Sequence, residues 1–433
     1  ELKITPISSS NDLKAGQAVD RIGVKMGLLF PCGKELEKLA LKSEKIYKNK
    51  IKLYDGDCSL SGLENKCLKM LENGESKEDT AKFLLTYIAD TLSEMVKAFI
   101  GYDGYNNLIQ AIDLSYHTVL EFNFGTFKNV RGYLDTLVVA ESRVGKSSTA
   151  EALQKLYSLG AFTSLAGNSA TIPGIIGGSN KVNGAYQTRA GLIPMNHRGL
   201  VIFEELAKCN SNLVRELTDI RSSNQVRIAR VSGTLTLPAL VRMITLTNVK
   251  NTGNKIKPIN SYPNGIDILA ELIGSPEDIA RYDIMLILGD QGNKVVDPFW
   301  EPIQPFEPET YQTRIRWVWS RTIDQIVIDK EVGKYILEKC NELNTIYDSH
   351  IKIFGTEAWK KVSRLAIAIA GYLVSTDATY EKIIVNIEHV DAAIQYLINC
   401  YDNSTFKLRS YVEMEKLYNN IDEVTKKSIK ESL

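Results

Sequence analysis

The chain has 433 residues, of which 44% are hydrophobic and 24% charged, so it is long enough for about two or three domains with their own cores. Its 52 basic and 52 acidic side chains give a formal net charge of zero, which excludes a generally basic surface for nucleic acid and leaves only local ones. Six cysteines and four histidines form no C-x-x-C pair, which excludes a zinc ribbon or disulfide framework and is typical of a reducing compartment.

The sequence shows no leader peptide and no segment long enough to cross a membrane. The longest apolar stretch, 365–374, is shorter than the roughly 20 residues that a membrane-spanning helix needs. We therefore predict a soluble, cytoplasmic protein with no membrane partner.

The first part of the chain, 1–75, mixes short alternating runs such as 21–30 with lysine-rich turns, and we interpret it as a small accessory domain. A capping box that opens at Ser76 then predicts a long amphipathic helix ending at Gly101. A second helix is predicted over 107–124.

A strand followed by a Gly-Lys-Ser turn is the most informative feature of the chain, because the turn opens a helix predicted over 147–159. Backbone N–H groups and the positive helix end can cradle phosphates there, with Lys146 reaching the β- and γ-phosphates and Ser147 ligating Mg²⁺. We therefore predict ATP and Mg²⁺ as cofactors. The predicted nucleotide-binding residues are Ala140, Glu141, Ser142, Arg143, Val144, Gly145, Lys146, Ser147 and Ser148. Ala140 stands where the motif usually begins with glycine.

A second apolar strand, 199–205, ends in two carboxylates. Ligands bind at the carboxyl ends of strands in open parallel sheets, and in triphosphate hydrolases one acid supports Mg²⁺ while another group orients the attacking water. Glu204 is therefore predicted to hold the metal together with Ser147, and Glu205 to be catalytic. The alternative is a solvated pair of glutamates at a strand end.

Later in the chain, 240–247 and 284–288 are continuous apolar runs, typical of strands buried in a parallel sheet. Prolines between 298 and 308 predict a linker. The helical patterns that follow cover 331–343, 357–375 and 388–401. We interpret these helices as a lid on an α/β nucleotide-binding domain.

These features predict five segments. They are an accessory domain over 1–75, an α/β ATPase domain with leading helices over 76–297, a linker over 298–309, a helical lid over 310–403, and a C-terminal helix or tail over 404–433.

The order of the motifs resembles the minichromosome maintenance (MCM) branch of the AAA+ ATPases, which are ring-forming DNA helicases. The likeness extends from about Leu85 to Asp402 and includes 191–205, which is similar to the family's stretch leading into its Walker B strand. The Gly- and Asn-rich segment 167–184 matches the position of a family insert. The resemblance implies a parallel-sheet AAA+ P-loop domain with an α-helical lid, and the composition favours a divergent bacterial member carried by a phage or mobile element.

Residues 225–239 alternate on both sides of a turn at Ser232 and Gly233, which predicts a hairpin. In MCM proteins a hairpin at this place projects into the channel of the ring and grips DNA. The basic residue of that hairpin corresponds to Arg230, and we predict that Arg227 and Arg230, both near the tip, bind DNA phosphates. Solvated arginines on a surface hairpin are the alternative.

Two further residues take roles from the resemblance. Asn248 ends its strand like the sensor-1 residue that orients the lytic water, the alternative being a turn-forming asparagine. Arg281 lies in a motif similar to the one whose arginine reaches a neighbouring subunit's ATP site, which makes it a predicted catalytic residue. A salt bridge from Arg281 to Asp283 is the competing account.

The sensor-2 arginine of the family falls near Glu357, so that role is unassigned, and Arg364, Lys360 and Lys361 are the candidates to replace it. No zinc-binding N-terminal region is present in the sequence.

Together the residues and the resemblance predict an ATP-dependent, ring-forming DNA helicase or translocase in DNA replication. The expected assembly is a homo-hexamer on single-stranded or forked DNA, travelling 3′→5′, with replication or loading factors as further partners. An ATP-switched, non-unwinding initiator or scaffold at an origin is the alternative, and a protein remodeller is a second one.

Overall fold

The computed structural model describes residues 10, 12–47, 49–53, 58–100, 106–142, 144–166, 170–182, 185–230, 233–250, 257–289 and 307–419. The described chain forms two compact units. The first contains the described residues up to Asn106 and also Glu307, and the second contains those from Asn107 to Gly289 and from Pro308 onward. Among these residues, no helix combines the length and the apolar character that crossing a bilayer requires.

The first unit is helical. Its elements are α1 (Ala15–Lys25), α2 (Gly33–Ala40), α3 (Ser61–Glu72) and α4 (Lys77–Ile100). Aliphatic side chains and cysteines form their common core, in which Ile22, Leu36, Leu63 and Leu84 are almost fully buried. The first half of the alternating run 21–30 is helical and belongs to α1. A few alternating residues fit two turns of an amphipathic helix as well as they fit a strand.

The predicted helix start at Ser76 is confirmed, since its hydroxyl accepts a hydrogen bond from the backbone N–H of Asp79 at 3.0 Å, as an N-cap does. This contact satisfies one of the free N–H groups of the first turn and starts α4 at Lys77. The predicted end, Gly101, lies outside the described residues. The compact unit extends to Asn106, beyond the boundary at residue 75 that composition suggests.

The second unit contains the sheet and the lid. Up to the last strand of the sheet its elements are α5 (Asn106–Tyr116), β1 (Glu121–Phe124), β2 (Phe127–Arg131), β3 (Asp135–Ala140), α6 (Lys146–Tyr157), β4 (Ala161–Ser164), α7 (Ile172–Ile175), β5 (Gly177–Val182), β6 (Ala185–Ala190), α8 (Leu192–Met195), β7 (Leu200–Glu204), α9 (Ser211–Ser223), β8 (Gln225–Arg230), β9 (Gly233–Pro238), β10 (Arg242–Thr247), α10 (Gly265–Ile273), α11 (Pro276–Ala280) and β11 (Ile284–Leu288).

The lid follows the sheet. Its elements are α12 (Pro308–Trp319), β12 (Ile326–Ile328), α13 (Lys330–Ile346), α14 (Ala358–Tyr372), β13 (Ile383–Val385), α15 (Ile387–Tyr401) and α16 (Leu408–Asn419). The three helices predicted for the lid are confirmed as α13, α14 and α15. Most of the predicted proline linker lies outside the described residues, and α12 begins at Pro308.

Five parallel strands form the central sheet, in the order β11-β3-β10-β7-β4. Every residue of β3, β10 and β11 is buried, because helices cover both faces of such a sheet and its strands become continuous apolar runs. The α/β fold predicted from the sequence is confirmed. All carboxyl ends of the five strands meet at one edge, which is where ligands bind in this class.

The helix predicted over 107–124 is too long, because α5 ends at Tyr116 and an antiparallel hairpin, β1 and β2, follows. In β1 the buried residues Phe122 and Phe124 alternate with the half-buried residues Glu121 and Asn123, which is a strand pattern. The ring of Phe124 stacks on Trp359 of α14 with ring centroids 4.6 Å apart. Residues 121–131 therefore form a hairpin, and not a continuation of α5, because their aromatic side chains pack on the lid.

Candidate nucleotide site

The loop between β3 and α6 has the backbone geometry of a phosphate-binding turn. Gly145 immediately precedes α6 with φ +80°, a left-handed conformation that glycine adopts without steric cost. The first-turn N–H groups of α6, which include those of Ser147 and Ser148, have no carbonyl partners within the helix. They can therefore donate hydrogen bonds to an anion. Ala140, the last residue of β3, and Val144, within the loop, are buried. The predicted residue Arg143 lies outside the described residues.

Glu141 begins the same loop and is held there by hydrogen bonds to two other segments of the chain. Its backbone N–H donates to the carbonyl of Leu288 in β11 at 3.3 Å. Its carboxylate accepts the backbone N–H of Ile259 at 2.6 Å. These bonds join the loop to segments distant in sequence, so the sequence carried no signal for them.

Lys146 and Asn248 converge over the loop. The ammonium of Lys146 donates to the side-chain oxygen of Asn248 and to the carbonyl of Glu141, the latter at 3.4 Å. The side-chain amide of Asn248 donates to the Ser142 hydroxyl at 3.2 Å. Burial lowers the pKa of Lys146, although Glu204 opposes the shift. A phosphate beside this ammonium would favour its charged form.

Asn248 reaches the loop because of strand register. In the sheet Leu246 of β10 pairs with Glu204 of β7, and Thr247 pairs with Val139 of β3. Asn248 therefore leaves the sheet at the same edge as the phosphate loop. The two carboxylates that end β7 leave it there too, as predicted for strand ends in a parallel sheet.

Glu205 is held in place by two side chains. The Ser164 hydroxyl donates to one carboxylate oxygen at 2.9 Å, and the Lys208 ammonium donates to the other. Both bonds lower the pKa of Glu205, with Lys208 as the larger cause, so the carboxylate is ionised at neutral pH. Sequence reasoning assigned no role to Ser164 or Lys208. The position of Lys208, three residues after Glu205, was a local signal that could have indicated it.

The residues at this edge fit a nucleoside triphosphate with Mg²⁺. The Ser147 hydroxyl and the Glu204 carboxylate are oxygen donors of the type that Mg²⁺ prefers. Lys146 and the N-terminus of α6 supply the positive potential for phosphate oxygens. The five predicted residues Ser147, Lys146, Glu204, Glu205 and Asn248 therefore lie on elements that end or begin at one edge of the sheet.

Arg281 lies at the opposite end of the sheet from the phosphate loop, where the amino-terminal ends of the strands meet. It follows α11 and precedes β11, whose first residue, Ile284, pairs with Thr136 near the start of β3. The phosphate loop follows the end of β3, about 17 Å further along the strand at roughly 3.3 Å per residue. An arginine side chain does not span that distance. Arg281 therefore does not contact a nucleotide bound by its own chain.

The proposed salt bridge between Arg281 and Asp283 is wrong. Arg281 is partly exposed and pairs with Asp278, one helical turn earlier, at 3.1 Å. Asp283 is buried and pairs instead with Arg131 at 2.9 Å and Arg364 at 2.6 Å. Arg281 thus pairs with Asp278 at the surface, whereas Asp283 pairs with two buried arginines.

The predicted hairpin at 225–239 is confirmed as β8 and β9, in antiparallel register from Gln225 opposite Pro238 to Arg230 opposite Gly233. Arg227 is exposed on β8. The predicted turn residue Ser232 and the side chain of Arg230 lie outside what the structure describes. Strand β5 lies within the predicted insert 167–184, pairs in antiparallel fashion with β6, which follows the insert, and contacts β8.

The three lid residues that are candidates for the sensor-2 role differ in solvent exposure and in how many of their donors are already bonded. Arg364 and Lys361 are buried, and their donors are bonded to backbone carbonyls and to Asp283. Lys360 is partly exposed and pairs with Glu357. Of the three, Lys360 is the one with a side chain that solvent reaches to an appreciable extent.

Comparison with curated proteins gives only short matches. Two tRNA N6-adenosine threonylcarbamoyltransferases, from two strains of Thermus thermophilus, are each 31% identical to this chain over 121 residues, which is 27% of this chain and 38% or 37% of theirs. The enzyme of the same name from Streptococcus pneumoniae is 31% identical over 77 residues, 17% of this chain and 23% of its own length. The chain thus spans less than two fifths of these relatives, and the activity in their names is theirs.

A family match covers the site described above. The family described as the MCM P-loop domain matches residues 86–299. This range includes the phosphate loop, the carboxylates after β7, both hairpins, Asn248 and Arg281. Together with the five-stranded parallel sheet, the match identifies residues 86–299 of this chain as an MCM P-loop domain of the AAA+ type.

Proposed function

We propose that the chain hydrolyses ATP with Mg²⁺ at the boundary between subunits of a hexameric ring and uses the hydrolysis to move along one DNA strand. One subunit supplies the triphosphate side of each site through Lys146, Ser147, Glu204, Glu205 and Asn248. The next subunit supplies Arg281, which would neutralise charge that develops on the γ-phosphate. The observation that carries the proposal is the position of Arg281 at the sheet edge opposite the phosphate loop.

The surroundings of Arg281 support a role toward an anion from another molecule. An open cleft of about 820 Å³ lies beside it. Eight of the described side chains that line this cleft are cationic and two are acidic. Lys128 and Arg281 are exposed or partly exposed within it. A concave surface with such an excess of positive charge favours phosphate or carboxylate groups over neutral partners.

The hairpin of β8 and β9 supports DNA as the substrate that is moved. Arg227 is exposed on it, and arginines on a projecting hairpin can pair with backbone phosphates without reading the base sequence. Binding through phosphates should be nearly independent of sequence and should weaken steeply as salt is raised. The MCM P-loop domain further supports replication as the setting and 3′→5′ as the direction.

A mixing experiment tests the shared site. Lys146→Ala and Arg281→Ala subunits alone should each retain only a small residual turnover. A 1:1 mixture should regain about one quarter of wild-type turnover, because a head-to-tail interface takes its two faces from different subunits and about one quarter pair both intact faces. Arg281→Ala mixed with the double variant Lys146→Ala/Arg281→Ala is the matched control and should keep only the residual turnover. Assembled but inactive 1:1 mixtures would contradict the proposal.

A strand-separation assay tests the motion. Forked duplexes with a 3′ or a 5′ tail, labelled with a fluorophore and a quencher, are followed with and without ATP. ATP-dependent separation of the 3′-tailed fork is expected. DNA-stimulated assembly without separation of either fork would replace the translocase with the initiator alternative.

A further inference from the structure

The two residues that follow Arg281 are held by an unusually dense set of buried charges. Asp283 accepts hydrogen bonds from Arg131 and from the backbone N–H of Asp135, both at 2.9 Å, and from Arg364 at 2.6 Å. Burial opposes ionisation of Asp283, but Arg364 and Arg131 outweigh it and keep its pKa below the usual value. The carboxylate is therefore charged and bound by three donors.

Tyr282 is fixed in the same way. Its carbonyl accepts a hydrogen bond from the ammonium of Lys361 at 2.7 Å. Its ring, which is buried, faces the guanidinium of Arg221 with 4.7 Å between the guanidinium carbon and the ring centroid. The two backbone positions after Arg281 are thus held both at the carbonyl of one residue and at the carboxylate of the next.

Two of these cations come from one lid helix. Lys361 and Arg364 lie three residues apart on α14, so they share one face of the helix. Each also donates to a further backbone carbonyl outside Tyr282 and Asp283, Lys361 to that of Ile353 at 2.5 Å and Arg364 to that of Arg131 at 2.7 Å. Lys361 pairs with no carboxylate among the described residues. Burying an ammonium with carbonyl partners alone is costly.

We propose that Lys361 and Arg364 are positioning residues for Arg281, so that α14 of the lid sets where this arginine reaches toward a neighbouring subunit's nucleotide. The inference rests on the proposed function, since it gives Arg281 its target. Lid helix and arginine form one mechanical unit: a shift of α14 moves the carbonyl of Tyr282 and the carboxylate of Asp283, and Arg281 with them. The lid of one subunit thereby controls hydrolysis in the next.

Steady-state ATP turnover by the full chain tests this. Arg364→Gln and Lys361→Met should each lower kcat about 100-fold, the order expected for a catalytic group displaced by about 1 Å. KM for ATP should stay unchanged, because the interaction lost is made in the transition state. Arg316→Gln, which removes an exposed arginine of α12, is the matched control and should keep wild-type kcat.

A double-variant cycle separates positioning from a purely structural role. If Arg364 acts through Arg281, Arg281→Ala/Arg364→Gln should be no slower than Arg281→Ala alone. Arg364→Gln mixed with Lys146→Ala should also regain turnover, since an intact Arg281 then comes from the other subunit. If Arg364→Gln does not fold, Arg364→Lys keeps a cation beside Asp283, loses the bond to Arg131, and enters the same cycle.

The possible results have distinct meanings. Multiplicative losses in the double variant, a raised KM or a failure of the mixture to recover would overturn the positioning role. Wild-type kcat in both α14 variants beside an inactive Arg281→Ala would also overturn it and leave the proposed function standing. Wild-type kcat in Arg281→Ala would overturn the proposed function and this inference together.

Discussion

Replacing Lys361 with methionine tests the burial of a single charge, and the structure sets the size of the effect. Burial lowers the pKa of Lys361 from 10.5 to about 8. Between these pH values the unfolded chain holds a proton on this residue that the folded chain has released. The free energy of unfolding therefore rises with pH across this window. At about 1.4 kcal/mol per pH unit, the full rise is about 3 kcal/mol.

The assay is urea unfolding of wild type and Lys361→Met at half-unit steps from pH 7 to 10.5. The free energy of unfolding of wild type minus that of the variant should be constant below pH 8 and then increase by about 3 kcal/mol. Taking the difference cancels the titration of tyrosines and cysteines, which both proteins share. Lys334→Met, which removes an exposed lysine of α13, is the control and should show no such increase. A difference that stays flat up to pH 10.5 would refute the reasoning.

Three shorter predictions concern the site and the hairpin. Glu205→Gln should bind nucleotide normally yet lose about 10²- to 10⁴-fold in turnover, as measured by equilibrium binding and phosphate release; unchanged turnover would remove Glu205 from the chemistry. Gly145→Ala should unfold about 1 kcal/mol more easily because φ is +80° there, and should bind nucleotide more weakly; equal affinity would argue against a phosphate role for the loop. Arg227→Ala should reduce the dependence of DNA binding on salt by about one phosphate contact, and an identical salt slope would return Arg227 to the solvated alternative.

The sequence was sufficient for four of the five strands of the central sheet and missed the edge strand β4. Strands buried on both faces are continuous apolar runs, so β7, β10 and β11 could be recognised without any tertiary information. The hairpin of β8 and β9 and the start of α4 followed from local turn and capping chemistry. Such signals are contained within a few neighbouring residues.

The features that were missed depend on contacts between distant segments. The hairpin of β1 and β2 is defined by its packing against Trp359, more than two hundred positions away. The partners of Glu205 and Asp283 were equally out of reach, since a carboxylate at a strand end gives no indication of which cation meets it. The short parallel pair β12 and β13 joins segments on either side of two helices, and so it has no local pattern either.

Glu205 follows its strand with φ +60°, a region where side chains other than glycine and asparagine are disfavoured. Glutamate is therefore not the residue that best stabilises this backbone conformation. Asparagine or glycine at position 205 should raise the free energy of unfolding of the domain, but either one removes the carboxylate. Resistance to heat and catalytic capacity are in conflict at this one position. A selection for thermally stable variants that does not also select for catalysis should therefore replace Glu205.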